Sequence, residues 1–122
     1  MKDFPAFVKN PLNRIATSSQ YTDDVEGYVF DGADGSQVAL WTCGQDRVSA
    51  VHVHEFDEYM VVIQGRCVVT MGESQVELGA GDEILVPKGT PQSIKVSAGT
   101  RTVHVFGAKR AEREHAVAGT AR

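Results

Sequence analysis

Cysteine is scarce. The 122-residue chain has two, Cys43 and Cys67, and their spacing forms neither a Cys-x-x-C pair nor a disulfide framework, which points to reduced, buried thiols. Long apolar runs are missing as well: no segment approaches the roughly 20 residues that a bilayer-spanning helix requires. The opening stretch MKDFPAFVKNPLNR carries charges and two prolines where a secretory leader has its apolar core, so the expected location is the cytoplasm, away from any membrane. Basic charge is in deficit, with 12 Lys+Arg against 16 Asp+Glu for a net charge of −4. Lys109, Arg110 and Arg113 alternate with Glu112 and Glu114, the pattern of a solvated face, and nucleic acid is not an expected partner. Apolar residues at 42% and charged residues at 23% are ordinary for a globular protein, so disorder, coiled coil and collagen find no support. The length suits one domain with one core.

Helical periodicity is also absent before residue 107. Apolar residues instead occupy short, valine-rich segments at 27–30, 38–42, 50–54, 59–64, 66–71, 75–78, 83–86, 93–97 and 101–106. Turn residues such as Asp31-Gly32, Asp34-Gly35, Gly65, Gly72 and Pro87 to Pro91 separate them. Strands of about five residues with close-set turns predict an all-β sandwich or barrel. Residues 1–25 read as an irregular arm, 26–107 as the barrel and 108–122 as a tail, with a short, poorly capped helix expected over 109–117. In the segment 59–64, Tyr59, Val61 and Ile63 alternate with Glu58, Met60 and Val62, so both faces are apolar and the outer one needs a cover. A second subunit is the expected cover, making a homodimer with Phe4, Phe7 and Val8 of the arm crossing between subunits.

What stands out is HVHEFDE at 52–58. Side chains alternate across a strand, which puts His52 and His54 on one face and Val51 and Val53 on the other. Glu58 follows the turn 55–57 at the start of the next strand and can return to the histidines' face. Two imidazoles and a carboxylate converging inside a barrel suit iron(II), manganese, nickel or zinc with coordination positions left open; they also suit a buried ion pair.

The longer pattern carries a resemblance. Gly44-x7-His52-x-His54-x3-Glu58-x6-Gly65 resembles the first cupin motif, with two extra residues after the leading glycine, and Gly81-x5-Pro87-x-Gly89-x2-Gln92 resembles the second. The 15 residues between Gly65 and Gly81 are similar to the shortest single-domain cupins. The resemblance implies a double-stranded β-helix (jelly-roll) barrel, usually dimeric, holding one divalent metal ion on His52, His54 and Glu58. One departure is visible: Gln92 stands where the family has its third histidine, and Val96 where it has an asparagine. Glutamine is a weaker, harder donor than imidazole, so Gln92 becomes a weak fourth ligand, a hydrogen-bond donor to bound water or substrate, or the filler of a polar gap.

A third group, His104, Phe106 and Arg110, resembles the Asp-x-Phe-x3-Arg arrangement of small cupins that open unsaturated uronic acids, with His104 in place of the aspartate. That resemblance implies His104 as a proton shuttle, Phe106 as a pocket wall and Arg110 as the anchor of a substrate carboxylate; Met60, on Glu58's face, joins Phe106 in the pocket. The functions implied are a Lewis-acid isomerase or lyase acting on a small sugar acid or keto-acid, a metal-dependent dioxygenase, or a non-catalytic small-molecule-binding module.

Overall fold

The computed structural model describes residues 1–115. Nine antiparallel strands are found there: β1 Val25–Asp31, β2 Gln37–Cys43, β3 Arg47–Val48, β4 Glu58–Gln64, β5 Arg66–Met71, β6 Ser74–Gly79, β7 Glu83–Val86, β8 Gln92–Val96 and β9 Thr100–Phe106. They form one sheet in the order β1-β2-β9-β4-β7 and another in the order β3-β8-β5-β6, an all-β jelly-roll architecture. Alternation along each strand sends one set of residues inward. Glu58, Met60 and Val62 of β4 are buried while Tyr59 and Ile63 of the same strand are exposed. The core lies between the sheets as two clusters, one around Met60, Val62, Val69 and Leu78, the other around Val29, Ala39 and Phe106.

Gly65 shows why a motif glycine sits at the β4–β5 turn. Its φ is +90°, and a Cβ there would come within 2.4 Å of the Thr100 hydroxyl oxygen and 2.6 Å of the Thr100 Cα. Only glycine satisfies both demands.

Two expected elements differ. Residues 50–54 are not a strand: β3 ends at Val48, and beyond it one isolated bridge, His52 to Gln92, remains. The backbone partners explain the break. Ser49 N–H bonds the Ile94 carbonyl, Ala50 N–H turns to the Tyr21 carbonyl of the arm, His52 exchanges bonds with Gln92, and the His54 carbonyl accepts from Gly89, so no single neighbour continues the ladder.

The helix expected over 109–117 is likewise absent from residues 109–115; positions 116 and 117 lie outside the described residues. The tail's hydrogen bonds go to the arm instead of back into a helix. Ala16 N–H donates to the Glu112 carbonyl and Glu114 N–H to the Arg14 carbonyl, both at 2.8 Å, and Ile15 bridges Arg113. Buried Gln37 fastens the same stretch, its side-chain oxygen accepting the Arg110 and Ala111 N–H groups at 2.7 and 2.8 Å.

The arm, which includes the 3₁₀ turns Pro11–Asn13 and Thr17–Ser19, lies on its own chain's sheet. Phe4 and Val8 are buried with Tyr28 against Phe30, Leu40 and Val103, whereas Phe7 stays 73% exposed. Arg101, buried beneath the arm, stacks on Phe4 at 4.8 Å and donates to the Met1 carbonyl at 2.7 Å. The outer face of β4 is left open at Tyr59 and Ile63, beside Leu85 and Val105.

Candidate metal centre

Glu58 is the first residue of β4, held between Val86 of β7 and Phe106 of β9. The turn before it is pinned at its last residue: the Asp57 carboxylate accepts the Lys88 N–H and its carbonyl the Gly107 N–H, each at 2.9 Å. His52 and His54 come from the 49–57 loop, and parity survives the loss of the strand because His52 still bridges Gln92. One donor atom from each of His52, His54 and Glu58 lies within 4.8 Å of the others, the convergence expected from the sequence.

The hydrogen bonds fix what each group can offer. His52 Nδ1 lies 2.9 Å from the Ala50 carbonyl, which only accepts, so Nδ1 carries the proton and Nε2 keeps its lone pair. The ring is clamped by Tyr21, stacked at 4.1 Å with an interplanar angle of 1°. His54 is buried and stacked on Phe56 at 4.8 Å; burial pushes its pKa down to about 4 against the pull of Glu58, so near neutral pH it is an uncharged donor. Burial also lowers His52. For Glu58 burial acts to raise the pKa, but the hydrogen bonds and charges around it, His104 foremost and then Gln92, hold it at about 2. Two neutral imidazoles beside an ionised carboxylate are the donor set that a borderline divalent ion takes, and the residues fit such an ion.

Around this trio the remaining expected residues take definite places. The buried Gln92 side chain donates its amide to Glu58 Oε1 at 2.9 Å, the oxygen that faces His54 Nε2 at 3.6 Å. His104 Nδ1 meets the other oxygen at 2.6 Å, and His104 Nε2 lies 3.0 Å from the Thr102 hydroxyl. Because an ionised carboxylate only accepts, Nδ1 is the donor to Glu58. Both ring nitrogens of His104 are thus engaged within the protein, and the residue braces Glu58 rather than standing free in the pocket. Phe106 and Met60 are buried and line the cavity.

Arg110 crosses the mouth with its guanidinium over the rings of Tyr21, Trp41 and Phe106, at 4.9, 5.1 and 5.6 Å, and donates to the Ser19 carbonyl. Burial lowers its pKa, opposed by Tyr21 and Glu58. Among the described residues no carboxylate forms an ion pair with it. The resulting cavity has a volume of ≈ 80 Å³.

Sequence reasoning missed Tyr21, Trp41 and Thr102. Trp41 and Thr102 are cross-strand partners on β2 and β9, and Thr102 shares the parity of His104, which could have found it. Tyr21 sits on an arm without period and gave no signal.

The family model described as "Cupin domain" matches residues 39–107. A search of curated proteins returned no match. Solved structures similar to this chain include a cupin superfamily protein from Desulfitobacterium hafniense, at 16% identity, covering 71% of this chain and 80% of that one with a TM-score of 0.65. KdgF from Halomonas sp. has 17% identity, 79% and 93% coverage and a TM-score of 0.65. An RmlC-like cupin from Shewanella frigidimarina has 15% identity, 80% and 96% coverage and a TM-score of 0.65.

Proposed function

Because this chain belongs to the cupin domain family, we propose that it is a cytoplasmic enzyme using one divalent metal ion as a Lewis acid on a small acidic or oxygenated substrate, of the isomerase or lyase type. The observation that carries the reading is the approach of His52, His54 and Glu58 donor atoms to within 4.8 Å of one another, with Arg110 beside them lacking an ion-pair partner among the described residues. A divalent ion held by His52, His54 and Glu58 would polarise a carbonyl or hydroxyl of the substrate.

The chain's own residues do the rest. Arg110 holds the substrate carboxylate, its ring-stacked faces leaving only its N–H edge to bind. His104 keeps Glu58 ionised and oriented, and a proton taken up at Nε2 would displace the bond from Thr102. Gln92 fixes the Glu58 oxygen nearest His54 and offers its own carbonyl oxygen to the site. Phe106 and Met60 exclude water from the reacting end. The open row Leu85, Tyr59 and Val105 across β7, β4 and β9 supports a homodimer formed through that face.

The test is metal analysis of protein purified without chelator, followed by a screen of uronates, keto-acids, thiols and flavonols with each metal, with and without oxygen. Near-stoichiometric metal and anaerobic turnover with zinc support the reading. Oxygen consumption confined to iron(II) would make the protein a dioxygenase, and absence of metal would sink both.

A further inference from the structure

The cavity beneath the metal residues has a composition that selects among acids. Its lower walls are Val25, Val69, Ile84, Ile94 and Val96, drawn from both sheets. Among the neutral polar side chains around it, most are already bonded inside the protein. Gln20 accepts from Trp41 Nε1 at 2.9 Å, the Ser49 hydroxyl accepts the Ile94 N–H at 2.9 Å, and Gln92 donates to Glu58. The Thr100 hydroxyl both donates to the Arg66 carbonyl and accepts its N–H, while Thr102 is bonded to His104. What remains is divided by role: the free edge of Arg110, the Thr22 hydroxyl and the Gln20 amide can donate to one acid head, while the lone pairs of His52 and His54 and the Gln92 carbonyl face the place a metal ion would take.

A polyhydroxylated sugar acid would lay its far hydroxyls against Val25, Val69, Ile84, Ile94 and Val96 without partners, and each unpaired group weakens binding by an order of magnitude or so. An acid with an apolar body meets no such cost and gains from every methylene it buries. We propose that the site takes a monocarboxylate with an apolar alkyl or aryl body, its head at Arg110 and its tail between the two sheets, in preference to a sugar acid. The assignment rests on the reading that the site binds an acid, and it narrows that acid to one class.

Trp41, the only tryptophan, lines the cavity and lies under Arg110, so occupancy is readable by its fluorescence and by calorimetry without any turnover. Butyrate, hexanoate and octanoate would be titrated against galacturonate and hexanol, with the metal content of each sample measured in parallel. Affinity should rise about four-fold per methylene until the cavity is filled. Galacturonate should bind at least roughly ten-fold more weakly than hexanoate, and Arg110→Gln should erase the preference of the protein for hexanoate over hexanol. Affinity indifferent to chain length, or galacturonate binding as well as hexanoate, overturns the proposal. A chain-length series in protein that takes up no metal would uphold the acid class while removing the Lewis-acid reading; stoichiometric metal with a flat series would do the reverse.

Discussion

On one wall of the site Glu58, Thr102 and His104 stand on β4 and β9, where ladder register decides which side chains meet. On the other, His52, His54, Tyr21 and Arg110 stand on a loop, an arm and a tail, held by stacked rings and scattered backbone bonds. The strand wall is the more fully bonded, with each Glu58 oxygen accepting one hydrogen bond and both His104 nitrogens engaged, while Glu58 keeps further lone pairs for an ion. The loop wall keeps its binding atoms free, since His52 commits only Nδ1 and Arg110 only part of its edge. Rigidity and availability are thus divided between the walls: one orients the carboxylate, the other presents donors. Losses on the loop wall should cost binding, and losses on the strand wall should cost stability.

The largest effect expected is on metal. His52→Ala/His54→Ala should abolish the near-stoichiometric metal of the parent, read by elemental analysis, while the melting temperature of the stripped protein moves little; equal trace metal in both would erase the distinction between the walls. Next is His104→Leu, which leaves the buried Glu58 carboxylate short of a hydrogen bond and should destabilise the fold by about 1–3 kcal/mol in denaturant unfolding, with His52 and His54 still in place.

Acid should separate the walls by pH in protein stripped of metal. His54 titrates near 6.5 unfolded but at about 4 folded, so below pH 6.5 the unfolded state takes up protons that the folded state refuses, and stability falls until about pH 4. Glu58, at 4.5 unfolded and about 2 folded, adds stability above its unfolded value that is lost as pH falls from 4.5 toward 2. Melting temperature against pH should therefore decline in two limbs, and His54→Gln should make the upper limb shallower, leaving the share of His52, whose pKa burial also lowers. The smallest effect belongs to the seam between the walls. Gln92→His should tighten metal by roughly ten-fold in chelator competition if position 92 can turn its donor to the ion; no gain would leave Gln92 as Glu58's brace only.

The strand wall was the legible one. Period-2 alternation and the motif glycines placed Glu58, Met60, His104 and Phe106 on inward faces, and the structure has all four buried, because residues on paired strands are set by register alone. The loop wall was read correctly in outcome but for an incomplete reason: His52 and His54 share a side although 50–54 is not a strand, since one bridge to Gln92 holds the parity. The helix expected over 109–117 fails over its described part because the tail's partners, Arg14 to Ala16, lie at the far end of the chain on the arm, a distance over which no local pattern speaks. Tyr21 was invisible for the same reason.

The stitching of Arg14, Ile15 and Ala16 to Glu112, Arg113 and Glu114 sets an order of assembly. Closing a loop that spans nearly the whole chain gains nothing until the strands between have already brought its ends together, so this belt should be the last part to form and the first to open. Tyr21 and Arg110 ride on it, which makes the barrel complete before its binding site is. Amide hydrogens of the belt should exchange through small, local openings while those of β4 and β9 wait for global unfolding, and each such opening uncovers the cavity without disturbing the carboxylate at its centre.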